Sequence, residues 1–413
     1  MPLLDDAHEL RTDAHAARHA DAAALAAALT ASRHDTLATF AVFERELEGL
    51  AVPQRETLNP PLWELGHIGW FQEFWLARNP QRAAGAKADP EALATTARPT
   101  GVRARSDLLY DSSRVPHATR WTLPLPDAGA TRADLASQLA GSLALLRDAG
   151  HDDDSLYFFR LALLHEDMHH EAALYMAQSL GVPIADPRWQ AAPLRDAVQP
   201  LVFEAGAWSL GSGGPGFAFD NELGRHALAL PATQIDSRVL RWAEYLPFVE
   251  TGGYDQAQWW SETGGAWLAA ERVAAPRYTR REGSTWQHWR HGRWADLCME
   301  HPACHLTAFE AEAWCRWAGR RLPSEAEWER AAVERPGDFD WGQVWEWTAS
   351  PFLPYPAFEP HPYRDYSAPW FGSRTVLRGA SFMTQPRMRH PRYRNFFMPQ
   401  RNDVPAGFRT CRL

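Results

Sequence analysis

Two histidines four residues apart, His165 and His169, lie in the stretch HEDMHHEAALYM at residues 165–176. On a helix, positions i and i+4 share a face with Cβ atoms about 5–6 Å apart, so two imidazoles can converge on one ion. The pattern H-E-x-x-H is also the zinc-peptidase signature, with Glu166 in the place of the general base. That chemistry needs a third ligand further along the chain. Residues 172–175 read Ala-Ala-Leu-Tyr, and the extended zinc-peptidase motif is absent. A better third ligand lies upstream, in WELGHIGWFQEFW, where His67 sits among Trp63, Leu65, Ile68, Trp70 and Phe71. A lone histidine on such a face is ordinarily a core residue. Beside a second helix that presents a histidine pair, it becomes part of a three-histidine site. Three neutral ligands leave coordination positions open. They suit iron(II) with dioxygen and a substrate, or a catalytic zinc, and spacing alone does not choose. Glu166 and Glu171 are candidates to brace the ligands from behind, against the simpler role of solvated carboxylates.

These residues need helices to position them, and residues 1–181 read as helical. Apolar residues recur at three- and four-residue spacing over Leu25–Leu29 and Leu37–Leu50. Pro60-Pro61 opens the helix that carries His67. Residues 81–130 form a long connection. The next helix is capped by Thr131 or Asp134 and stops at Gly150; the His165 helix stops at Gly181. Four principal helices with a long crossover make a four-helix bundle. Residues 182–200 are Pro-rich and read as a linker. From residue 201 to 413 the composition turns to Gly, Trp, Pro and short mixed runs. Two helices stand out there, one capped by Thr307 and ended by Gly319, the other started by Pro323 and Ser324.

Composition narrows the function classes. The 413 residues are a prior for two or three domains. A net charge of −9 argues against a phosphate-binding nucleic-acid surface. No apolar run reaches the ~18 residues of a membrane span, and the N-terminal segment lacks the apolar core of a secretory signal. Cys298, Cys304, Cys315 and Cys411 form no CxxC pair, which argues against a zinc knuckle and fits a reducing cytoplasm. The 20 tryptophans supply cation-binding faces as well as core.

The motifs WELGHIGWFQEFW and LLHEDMHHEAALYM resemble the DinB-like helical domain of the ergothioneine sulfoxide synthase family. FAFDNELGRH, YLPFVETGGYDQAQWW, AFEAEAWCRWAGRRLPSEAEWERAA, VWEWTASPFLPYPAF, VLRGASF and YRNFFMPQRNDVPAGFRTCRL resemble the formylglycine-generating-enzyme-like domain fused to it. In order, these motifs span nearly all of residues 40–413. The resemblance implies an α+β fold, a four-helix bundle followed by a C-type-lectin-like domain. It implies non-haem iron(II) on His67, His165 and His169, and dioxygen-driven joining of a sulfur or selenium donor to the imidazole C2 of hercynine. It further implies that Asn395 contacts the histidine betaine and that Arg401 faces the acidic part of the donor. Hercynine's trimethylammonium needs aromatic faces, for which Tyr393, Phe396, Phe397, Trp345 and Trp347 are candidates. Tyr355, or Phe358 in its place, falls near the family's proton-donating tyrosine. The paired C-terminal cysteines of true formylglycine-generating enzymes are missing, since HPRYRN has none.

Several positions depart from the ergothioneine branch. Met168 replaces a glutamine that helps hold the betaine carboxylate, Gln72 stands between Phe71 and Glu73, and Phe397 replaces an acidic residue suited to a glutamyl-cysteine ammonium. LYDSSRVPHATRWTLPLP, residues 109–126, resembles a segment of the selenoneine synthase branch, whose donor is a neutral selenosugar. The expectation is therefore C–Se bond formation giving selenoneine. The alternative is a sulfoxide synthase using cysteine or glutamyl-cysteine. A zinc hydrolase and a non-catalytic lectin-like module are the competing classes. Oligomeric state is not legible.

Overall fold

The computed structural model describes residues 13–89, 106–194 and 197–413. It divides into two compact units. Unit 1 is Met1–Ile184 with Gly214–Ala218 and Pro360–Tyr366; unit 2 is Ala185–Gly213, Phe219–Glu359 and Ser367–Leu413. Two short segments of the later chain thus belong with the helical unit, which no single cut in the sequence expresses. Residues 90–105 of the expected connection, 195–196 of the expected linker and 1–12 of the N-terminal segment lie outside the described residues.

Unit 1 contains α1 (Asp13–His19), α2 (Ala22–Glu46), α3 (Pro61–Gln72), α4 (Ser106–Tyr110), α5 (Ala128–Arg147) and α6 (Asp153–Leu180). The four long ones, α2, α3, α5 and α6, pack on one another. Pro61 stands in the first turn of α3, where its missing N–H costs nothing. Beyond Gln72 the helix widens into a π turn over Glu73–Ala77. The start of α5 corrects the sequence expectation. Its cap is Asp127, whose carboxylate accepts the Ala130 N–H at 2.8 Å, so Thr131 and Asp134 are already inside the helix. On α6, Asp152 caps the start, and Gly181 at φ 73° ends the helix in the left-handed conformation that a side chain would strain.

Unit 2 is α+β, with short strands and long loops. One sheet has the order β1 (Pro200–Phe203), β4 (Thr233–Asp236), β13 (Cys411–Arg412), β8 (Arg320–Arg321). A second has β11 (Asn395–Phe397), β10 (Thr375–Gly379), β9 (Trp345–Pro351), β12 (Ala406–Gly407). β2 (Gly206–Leu210) pairs with β3 (His226–Leu230), and β5 (Thr279–Glu282), β6 (Thr285–Arg290) and β7 (Arg293–Asp296) form a three-stranded sheet. The helices are α7 (Trp242–Glu250), α8 (Glu262–Glu271), α9 (Ala308–Trp317) and α10 (Glu325–Glu334). Thr307 and Ser324 each close a capping box, with Glu310 and Glu327, as their spacing predicts. Buried ion pairs stand between these elements. Arg409 meets Glu346, Arg378 meets Glu329 and Arg394 meets Glu325. Such pairs hold loops in place where little regular structure does so, because losing one partner would leave a buried charge.

Candidate metal centre and substrate residues

α3 brings His67 to the bundle interior and α6 brings His165 and His169. One nitrogen from each lies within 4.8 Å of the others. The rings are fixed in different ways. His67 Nδ1 is 2.8 Å from the Tyr110 carbonyl, which can only accept, so Nδ1 carries the proton and Nε2 keeps its lone pair. Trp63 stacks on the same ring at 4.9 Å and 9°. His169 Nδ1 donates to Glu64 Oε2 at 2.5 Å, again leaving Nε2 for a ligand role. His165 lies flat on Phe71, 3.5 Å and 4° apart, and neither of its buried nitrogens has a hydrogen-bond partner. Buried polar atoms are ordinarily satisfied, so two such atoms in a histidine cluster fit a metal ligand.

Electrostatics favours the neutral form of His67 and His165. Burial drives the His67 ring down to about 3, with His169 adding to the effect, and drives His165 well below its usual value. Glu64 is held below the ordinary carboxyl value: burial works to raise it, and the charge and hydrogen bond of His169 overcome burial. The bracing continues outward. Asn59 donates to Glu64 Oε1 at 2.5 Å, Arg120 donates to Asn59 at 2.9 Å, and the Arg120 guanidinium lies 3.7 Å from the centre of the Trp63 ring. Tyr110 and Arg120 both come from LYDSSRVPHATRWTLPLP, so that stretch supports the ligands from behind.

Glu64 was not singled out in the sequence. Its signal is there: it lies three residues before His67, on a neighbouring helical position. Glu166, the expected general base of a zinc peptidase, is fully buried and engaged elsewhere. Arg33 reaches both its oxygens, at 2.7 and 3.1 Å, and Gln72 donates to it at 2.7 Å. Gln72 also accepts from Arg33 at 3.1 Å, so both ends of its amide are used inside the bundle rather than turned to a donor. Met168 is half-buried, one residue before His169.

The remaining expected site residues lie in unit 2. Asn395, Phe396 and Phe397 form the edge strand β11, all half-buried. Phe396 stacks on Phe352 at 4.0 Å, and Asn395 Oδ1 accepts the Phe396 N–H at 2.8 Å. Arg401 pairs with Asp403 at 2.9 Å and lies 4.5 Å over the Phe397 ring. Three aromatic candidates for a cation cage are core: Trp345, Trp347 and Tyr393 are buried, and the Trp347 N–H is bonded to the Leu306 carbonyl. Tyr355 is also buried. Its hydroxyl donates to Glu325 Oε2 at 3.0 Å, and burial with that carboxylate holds the phenol well above its usual value. Unit 1 has a phenol that the sequence motifs did not mark. Tyr363 meets Phe71 edge-on at 5.0 Å, and its ring centre is 6.1 Å from that of His165.

Residues 188–343 and 337–413 match the family model "Sulfatase-modifying factor enzyme 1-like domain". The hercynine oxygenase of Mycolicibacterium smegmatis is 31% identical over 412 residues, covering 86% of this chain and 91% of the relative. That of Mycobacterium tuberculosis is 31% identical over 408 residues, with the same coverage of both. The chain belongs to the hercynine oxygenase family. The formylglycine-generating enzyme of Bos taurus is 30% identical over 140 residues, but these cover only 30% of this chain and 37% of that protein. The hercynine oxygenase relationship, unlike that one, extends over nearly the whole chain. Among the described residues, no helix is long and apolar enough to cross a membrane.

Proposed function

We propose that this protein is an iron(II)- and dioxygen-dependent enzyme that joins the imidazole C2 of hercynine to the selenium of a selenosugar, leading to selenoneine. Support comes first from His67, His165 and His169, whose converging nitrogens, two of them on rings braced from behind, suit an open, three-histidine iron(II) site. Iron bound there would supply dioxygen binding and one-electron chemistry. The chain's own residues do the rest. Tyr110 and Glu64 fix which nitrogens of His67 and His169 face inward. Phe71 and Trp63 hold the rings and keep water from the apolar side. Tyr363 holds a proton beside His165; we place the proton donor there because the Tyr355 proton is already engaged by Glu325.

Hercynine as acceptor follows from the relatives' names. Overall, the C2–H and Se–H bonds break, a C–Se bond forms, and dioxygen ends as one selenoxide oxygen and one water. Elimination of the sugar as an unsaturated product would leave a selenenic acid, which two equivalents of thiol reduce to selenoneine with release of water and a disulfide. Support for a neutral donor lies in Phe397 and Arg401. The Arg401 charge is matched by Asp403, so an acidic donor would compete with an existing ion pair, and Phe397 offers no carboxylate to an ammonium. The second reading, joining hercynine to glutamyl-cysteine or cysteine through sulfur, is favoured by the identity to hercynine oxygenases. Purified protein given iron(II), oxygen, hercynine and each donor in turn separates the two by mass spectrometry of the product. Faster turnover of glutamyl-cysteine than of the selenosugar would overturn the selenium reading.

A further inference from the structure

Unit 2 contains three metal-capable side chains for which none of the chemistry above has a use. His288 lies within β6, and Cys304 and His305 stand on the segment that leads into α9. One ligand atom from each lies within 4.8 Å of the others. Ligands around a tetrahedral or trigonal ion with bonds of about 2.0–2.3 Å stand about 3.3–4.0 Å apart, so side-chain adjustments of up to about 1.5 Å bring the three onto one ion. Cys304 and His305 are 3% and 2% exposed. His288 Nε2 and His305 Nδ1 are both sealed from solvent without a hydrogen-bond partner. Two such nitrogens beside one thiol share a target for their lone pairs.

The backbone agrees. His305 has φ 62°, in the left-handed region that a Cβ disfavours. Strain of this kind persists where a side chain's position matters. Burial keeps both rings neutral, His288 down to about 2 and His305 to about 3, and raises the Cys304 thiol to about 12. A thiol in such a place ionises when a cation binds it. The charged side chains acting on the trio include Arg290 on Cys304 and His288, and Arg277 on His305. A divalent ion with one thiolate would add a further positive charge here; a monovalent ion with one thiolate adds none.

We propose that His288, Cys304 and His305 bind a soft, thiolate-seeking metal ion, copper(I) in preference to zinc(II), which clamps β6 to the segment before α9. The backbone of Asn402, Asp403 and Val404 also acts on the His305 ring. The clamp therefore steadies the loop on which Asp403 holds Arg401.

Thiolate ligation distinguishes this site from the bundle, whose three histidines include no sulfur. Full-length protein is stripped of metal and titrated anaerobically with cobalt(II), zinc(II) and, against a colorimetric chelator, copper(I). Cobalt(II) is expected to give a near-ultraviolet thiolate charge-transfer band. Cys304→Ser and His288→Gln should each remove that band and lower copper(I) capacity by about one equivalent, while Cys298→Ser leaves both unchanged. Copper(I) should resist the chelator better than zinc(II) resists a matched competitor; the reverse order overturns the choice of ion. Absence of the band in the unaltered chain overturns the site, as does a band that survives Cys304→Ser or is lost with Cys298→Ser. Should Cys304→Ser fail to fold, the band in the unaltered chain and its response to His288→Gln decide the matter.

Discussion

The carboxylate of Glu64 receives the Nδ1–H of His169 at 2.5 Å, although Glu64 belongs to the helix that carries His67. One side chain thereby ties two ligand-bearing helices together and sets the tautomer of a ligand on the other.

Glu64→Gln keeps an acceptor but removes the negative charge that faces the His169 Nδ1–H. Iron(II) affinity is expected to fall about 10–100-fold, as for other residues that orient metal-bound histidines. Glu64→Ala should cost more than Glu64→Gln. Titration of stripped protein with iron(II), read by activity and by bound metal, checks both. Unchanged affinity in Glu64→Ala would remove its bracing role.

Single alanine replacements of His67, His165 and His169 are expected to abolish tight metal binding in the bundle and product formation. Metal analysis of the purified variants is the measurement. Unchanged metal content and product formation in all three would remove these histidines from the site.

Glu166 separates the oxygenase from the peptidase in another way. Arg33 also donates to the Leu135 carbonyl at 2.7 Å, so the Arg33–Glu166 pair joins α2, α5 and α6. Glu166→Ala leaves Arg33 buried without its carboxylate and is expected to lower stability by about 3–5 kcal/mol. Chemical denaturation of the variant reads this directly. A catalytic base would instead lose turnover with little change in stability.

Tyr363→Phe is expected to lower kcat while iron(II) binding stays intact, since only the phenol proton is lost. Tyr355→Phe should show its effect in melting temperature, through Glu325 and Arg394. The opposite split, with kcat falling only in Tyr355→Phe, would return the proton donor to unit 2.

Acid lability should trace in part to Glu327. Burial works to raise its carboxyl, but the hydrogen bond from Arg321 and the Ser324 N–H hold it at about 2, against an ordinary 4.5. A depressed carboxyl stabilises the fold fully above its unfolded value and loses that contribution as pH falls through the folded value. The melting temperature should therefore decline between about 4.5 and about 2. Glu327→Gln should flatten the decline. An unchanged slope in that variant would assign it to other carboxylates.

Much of this is legible in the sequence, for local reasons. The caps at Thr307 and Ser324, the glycine ending α6 and the four-residue spacing of His165 and His169 are encoded within a few residues. The apolar neighbours of His67 by themselves suit a core residue, and only the histidine pair on another helix marks it as a ligand. What stayed hidden depends on distant partners. Gln72 reads as a change near the metal, yet it bonds Glu166, 94 positions away. Cys304 reads as an isolated thiol, because no spacing rule connects it to a histidine on β6. The start of α5 was misplaced because Asp127, Thr131 and Asp134 are all plausible caps, and only the Ala130 hydrogen bond selects the first.

The two unpartnered nitrogens of His165 give the bundle an unbalanced interior. Each buried polar atom left unsatisfied costs about 1–3 kcal/mol, and stacking on Phe71 does not replace a hydrogen bond. An ion that engages His165 would relieve that cost and so couple metal binding to the stability of the fold. A metal bound there would then lengthen the life of the folded chain, whatever reaction it serves.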